Sequence, residues 1–120
     1  MDKVQEIREE LRAPALELRA EIPDVMRAYA QLSRAAFAEG ELSQLTKELV
    51  ALAIAITREC DGCIVAHCRN LVRLGATRRQ ISELAGVAIV MNGGPGTVWG
   101  PRALSAFDQF VSDSGSDEKK

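Results

Sequence analysis

The sequence predicts an all-α domain of about six helices, and three observations carry that expectation. Apolar residues recur at spacings of three and four in segment after segment. Capping residues stand where those segments begin, and glycines stand where they stop. No segment shows the apolar–polar alternation of a half-buried strand between turn signals. The 120 residues suit a single core. Hydrophobic residues make up 47% but aromatics only 4%, so Ala, Leu, Ile and Val must build that core.

The first segment carries Val4, Ile7, Leu11, Leu16 and Leu18 at helical spacing. Pro14 removes a backbone donor inside it, which predicts two short helices or one with a break. Pro23 occupies a first-turn position, and Val25, Met26, Tyr29, Leu32 and Ala36 form the stripe of the next helix, with Gly40 placed to end it. Ser43 is an N-cap for a third helix, whose stripe is Leu45, Leu49, Leu52 and Ile56. Val50, Ala51, Ala53, Ile54 and Ala55 make that helix apolar on every side, which predicts a central position. A buried strand over 49–56 is the alternative; the repeated alanines and the cap favour helix. After a break at Arg58–Gly62, the run from Cys63 to Leu74 is helical and Gly75 caps it. Thr77 and Gln80 have capping-box spacing, and Ile81, Leu84, Ala85, Ala88, Ile89 and Met91 or nearby positions follow. Asn92-Gly93-Gly94-Pro95-Gly96 reads as a loop, with the last helix beginning near Pro101 and burying Ala103, Leu104, Phe107 and either Phe110 or Val111.

Fifteen basic and seventeen acidic residues give a net charge of −2, which supplies no field for nucleic acid. The longest apolar run, Leu49 to Ile56, falls far short of the roughly 20 residues that cross a membrane. The charged N-terminus lacks the apolar stretch of a signal peptide, so the expectation is a cytoplasmic protein without membrane or nucleic-acid partners. Residues 112–120 contain no large apolar side chain and read as a disordered tail behind a helical domain over 1–111.

Chemistry concentrates in Cys60-Asp61-Gly62-Cys63-Ile64-Val65-Ala66-His67-Cys68. Two cysteines separated by two residues at a helix start can close a disulfide without distorting the helix. The free N–H groups and helix dipole there favour a thiolate. Cys63 and His67 are one helical turn apart, so an imidazole on that face can take a thiol proton and return it to a leaving group. Three readings stand at this point: a redox dithiol, structural cysteines, and a metal site of Cys60, Cys63, His67 and Cys68. The last is awkward because adjacent helical residues diverge by about 100°. Cys68, beside Ile64 and Leu71, reads as packing. Trp99 is either an interface anchor or a core residue.

Glu48, Cys60, Cys63 and His67 together form the pattern Glu-x11-Cys-x2-Cys-x3-His. This resembles the alkylhydroperoxidase D-like branch of the carboxymuconolactone decarboxylase family. The stretches Leu45–Ala53, Gly93-Gly94-Pro95 and Gly100–Leu104 resemble it too. The resemblance implies a compact helical domain with the dithiol at the start of a central helix, and thiol-dependent reduction of peroxides. It implies Cys63 as the attacking thiol, Cys60 as the resolving thiol, His67 as proton carrier and Glu48 as its orienting carboxylate. It implies no bound cofactor, an external dithiol, lipoyl or thioredoxin-like reductant, and a homo-oligomer, trimer or hexamer. Members of known activity commonly carry a further His between the cysteines, where this chain has Asp61-Gly62. A redox-sensing protein, a metal-binding module and a decarboxylase-like member are the alternatives.

Overall fold

The computed structural model describes residues 2–118, whose regular structure is entirely helical. Six helices follow one another: α1 (Lys3–Glu21), α2 (Pro23–Phe37), α3 (Gln44–Thr57), α4 (Asp61–Arg73), α5 (Arg78–Asn92) and α6 (Gly94–Glu118). Their starts have local causes. The Asp2 carboxylate accepts from the Gln5 N–H at 2.8 Å, and Ser43 Oγ accepts from the Thr46 N–H at 3.0 Å. Pro23 opens α2. Thr77 and Gln80 cap α5 reciprocally, each side chain accepting from the other's backbone N–H at 3.1 and 2.8 Å.

The ends of α3 and α4 share one device. In α4 the Gly75 N–H bonds Val72 O and the Ala76 N–H bonds Leu71 O, with Gly75 at φ +82°. In α3 the Glu59 N–H bonds Ile56 O and the Cys60 N–H bonds Ala55 O, with Glu59 at φ +54°. Both are Schellman closures, normally built on glycine. The second one hands the chain directly to Cys60.

Helices α3, α4, α5 and α6 surround the core, and α1 adds to it across α4. Leu52, Ile56, Leu71, Ile81, Phe107 and Cys68 are its largest fully enclosed side chains. The pairing of α5 with α6 is the most extensive, and it depends on Gly96, where an added Cβ would come within 2.8 Å of the Ile89 Cα. Backbone approaches backbone there, as an Ala-rich core with few aromatics requires.

Several expectations are corrected. Pro14 does not break α1, because the Glu10 carbonyl that loses its donor belongs to an exposed residue that water can serve. Helix α2 ends at Phe37, three residues before Gly40. Helix α4 begins at Asp61 rather than Cys63, because Cys60 itself is the N-cap. The glycine cluster shrinks to a one-residue turn at Gly93, held at φ +71°, ψ −138°, where only glycine is comfortable. Helix α6 starts at Gly94 with Pro95 in its first turn and continues through Pro101, whose lost partner, the Thr97 carbonyl, is again on an exposed residue.

The tail expected over 112–120 is helical from Ser112 to Glu118; residues 119–120 lie outside the described residues. An established helix needs no new nucleus to extend, and Gln109 Nε2 donates to Asp113 one turn on. The expected stripes of α1 and α2 are buried only at Val4 and Ile7: Leu11, Leu16, Leu18, Val25, Tyr29 and Leu32 are all exposed. Helix α2 packs only lightly on α1 and α3, and among the described residues its apolar stripe stays exposed. Helix α3 is central as expected, yet Val50 and Ile54 also face outward.

Candidate functional site

The site is assembled by α3 and α4, two consecutive helices joined by the Schellman closure at Glu59. Cys60 leaves that closure in extended conformation and becomes the N-cap of α4, and its sulfur accepts from the Cys63 N–H at 3.2 Å. The two cysteines form a disulfide, with Cα atoms 5.3 Å apart, well inside the range such a bond spans. Cys60 is half-buried, whereas Cys63 is exposed. Both sulfurs sit against the first turn of α4, where unpaired N–H groups stabilise negative charge.

One turn further, His67 projects from the same face of α4 as Cys63. Its Nδ1 lies 2.6 Å from Oε2 of Glu48 on α3. Glu48 is the one buried charged residue among those described, 4% exposed. Its second oxygen, Oε1, accepts from Asn70 Nδ2 at 3.0 Å. Both carboxylate oxygens are therefore engaged, as a buried carboxylate requires. A carboxylate accepts from Nδ1–H, which leaves the Nε2 lone pair as the free proton acceptor of the imidazole. The Phe37 ring, at the C-terminus of α2, packs 5.7 Å from the imidazole centroid and walls its other side.

The four residues singled out in the sequence thus come together in two linked pairs: Cys60 with Cys63, and His67 with Glu48. Cys68 turns away from them. It is fully buried, its Sγ donates to Ala103 O at 3.5 Å, and burial pushes its thiol up to about 12. With Cys68 aimed into the core and His67 Nδ1 committed to Glu48, the four donors of the metal reading do not converge on one point.

Three participants escaped the sequence reading. Asn70 is three residues past His67 on the same face, so the His-x-x-Asn spacing was an available signal. Phe37 offered none, because its contact depends on how α2 returns to α4. Asp61, in the first turn of α4, lies 3.8 Å from the Arg102 guanidinium, which also stacks 4.6 Å above the half-buried Trp99 ring. That pairing offsets a carboxylate placed between the two cysteines.

Similarity to known proteins agrees with this architecture. The model of the carboxymuconolactone decarboxylase family matches residues 23–108. An uncharacterised protein of Cupriavidus necator is 38% identical over 86 residues, covering 72% of this chain and 76% of that one. An uncharacterised protein of the cox locus of Paracoccus denitrificans is 38% identical over 83 residues, covering 69% and 75%. Among solved structures, a carboxymuconolactone decarboxylase family protein from Legionella pneumophila superposes with a TM-score of 0.87 at 38% identity, covering 92% of this chain and 98% of that one. A family protein from Thermotoga maritima gives 0.70 at 26% identity, covering 76% and 94%. The matched segment holds every residue of the site, and on that basis the chain belongs to the carboxymuconolactone decarboxylase family.

Proposed function

We propose that this protein is a thiol-dependent peroxidase of the alkylhydroperoxidase D-like branch, cycling through a Cys60–Cys63 disulfide. The observation that carries the proposal is the disulfide at the α4 N-terminus, one turn from an imidazole whose orientation a buried carboxylate fixes. The relative from Thermotoga maritima, suggested to have an antioxidative role, is in keeping with it.

In the reduced protein His67 Nε2 takes the Cys63 thiol proton, directly or through one water. The Cys63 thiolate attacks the terminal peroxide oxygen and the O–O bond breaks. The departing alkoxide collects the proton from His67 and leaves as an alcohol, with Cys63 now a sulfenic acid. The Cys60 thiol attacks that sulfur, forming the S–S bond and releasing water. An external dithiol then returns the two electrons by thiol–disulfide exchange. The exposed Cys63 meets substrate, and the half-buried Cys60 waits within bonding distance. Glu48 keeps Nδ1 protonated and stabilises the imidazolium in between. No bound cofactor enters this scheme. A cycling dithiol needs a reducing compartment, so a cytoplasmic location belongs to the same reading. The exposed faces of α2, α3 and α5 support a homo-oligomer, trimer or hexamer.

The test is a trapping experiment. Peroxide added to reduced Cys60→Ser protein in the presence of dimedone should leave a single adduct on Cys63 by peptide mass spectrometry. An adduct on Cys68, or none on any cysteine while the wild type still consumes peroxide, would overturn the assignment.

A further inference from the structure

Two side chains of α4, His67 and Asn70, close on the single carboxylate of Glu48 from α3. They stand three residues apart, so one turn of α4 presents both to the same point. His67 Nδ1–H donates to Oε2 at 2.6 Å, and Asn70 Nδ2 donates to Oε1 at 3.0 Å. A carboxylate only accepts, which assigns the nitrogen end of the Asn70 amide to it. The Glu48 side chain is 5% exposed and that of His67 23%, so water is a poor substitute for either donor.

The proton chemistry of His67 calls on Oε2 alone. The contact at Oε1 has a separate geometrical consequence. The last torsion of a glutamate side chain is broad, with no staggered well to hold the carboxylate plane. One hydrogen bond lets that plane swing about the bonded oxygen, whereas two donors on two oxygens fix it. Oε2 is thereby held against Nδ1, and the imidazole hydrogen with it. Without the amide, Oε1 would be a buried acceptor lacking a donor. The carboxylate would then turn away from the imidazole or take up a proton. A protonated Glu48 would donate to Nδ1. The imidazole hydrogen would move to Nε2, the nitrogen that has to accept from Cys63.

Resting on the peroxidase reading, we infer that Asn70 is a positioning residue for the thiol chemistry. Its amide pins the Glu48 carboxylate, so that His67 keeps its hydrogen on Nδ1 and leaves Nε2 open for the Cys63 proton. Asn70 acts through Glu48 and His67 in turn, not on the peroxide.

His67 is the only histidine of the chain, so long-range 1H–15N NMR reads its two ring nitrogens without assignment. In the disulfide form of the wild type, at a pH where the imidazole is neutral, the hydrogen should sit on Nδ1. In Asn70→Leu, which keeps the bulk and deletes the donor, the Nε2–H tautomer should gain at its expense. Asn70→Ala should shift the same way and serves if the leucine prevents folding, which circular dichroism checks. Peroxide kcat/KM should fall by about tenfold or more in the folded variants. A merely structural contact would lower the melting temperature and leave the tautomer in place. An Nε2–H tautomer in the wild type overturns the proposal, as does the wild-type tautomer in every folded variant. A shifted tautomer with an unchanged peroxide rate overturns it too. The spectrum requires no turnover, so the two readings separate. A tautomer shift in a protein that consumes no peroxide supports the Asn70 clamp and refutes the peroxidase. Unshifted variants of a protein that consumes peroxide refute the clamp alone.

Discussion

Glu48 shows how a single buried charge can organise a site. It is enclosed between α3 and α4, with one oxygen on His67 and the other on Asn70. Removing the charge while keeping the shape, as in Glu48→Gln, takes away the acceptor that fixes the imidazole tautomer. The expected outcome is a peroxide rate about ten- to a hundredfold lower in steady-state assays, with the fold intact by circular dichroism. His67→Ala should cost roughly 10²–10⁴-fold, and unchanged rates across several pH values would remove His67 from the mechanism. Cys68 gives the complementary case. Its burial raises the thiol to about 12, so iodoacetamide at pH 8 should label Cys60 and Cys63 in the reduced folded protein and leave Cys68 unlabelled. An unfolded chain ionises that thiol near 9.0, so the Cys68 contribution to stability should decline as pH rises from 9 toward 12. Urea midpoints of wild type and Cys68→Ala, measured on both sides of pH 9, read that difference. Much at this scale was legible in the sequence. The dithiol and His67 announce themselves by spacing on one helix, and Cys68 by its apolar neighbours. Glu48 became visible through resemblance alone: read by itself it is a solvated carboxylate favoured near a helix start, whereas the structure buries it in the second turn of α3.

Helix boundaries follow rules that the sequence states unevenly. Thr77 with Gln80, Ser43 and Gly75 mark ends that can be read directly. Glu59 closes α3 with the same hydrogen bonds that Gly75 gives α4, but a glutamate at φ +54° carries no sequence signal. That left-handed residue costs about 1 kcal/mol, so Glu59→Gly should raise the unfolding free energy by up to that amount in urea melts. The prolines misled for one physical reason. Pro14 and Pro101 each remove a hydrogen bond on an exposed side of a long helix, where water substitutes and tertiary packing holds the rest. Gly96 is read wrongly as loop because a glycine needed for close helix approach looks the same as one needed for a turn. Gly96→Val should destabilise by about 1–3 kcal/mol or more through overpacking against Ile89, measured by thermal or urea unfolding.

At the scale of the whole molecule, the all-α class and the six-helix order were legible because periodicity and caps agree along most of the chain. What the chain leaves uncovered was not. Helix α2 has a well-formed apolar stripe and buries no side chain, and Tyr29, Leu32, Val90 and Met91 are each at least 66% exposed. A stripe predicts burial without saying against what, and among the described residues this one stays exposed. The homo-oligomer reading therefore predicts a light-scattering mass that is a multiple of 13.0 kDa, reduced toward the monomer by Leu32→Asp. Oligomerisation would also fix α2, whose Phe37 walls His67, so loss of assembly should lower the peroxide rate together with the mass.

If the proposed function holds, Cys60 and Cys63 turn over. Peroxide consumption followed in excess over protein, with lipoyl, thioredoxin-like and small dithiol donors supplied in turn, addresses it most directly. Many turnovers per chain are expected with at least one donor, with one disulfide formed per peroxide consumed and complete loss in Cys63→Ser. A single stoichiometric burst with every donor, or full turnover in Cys63→Ser, would contradict it.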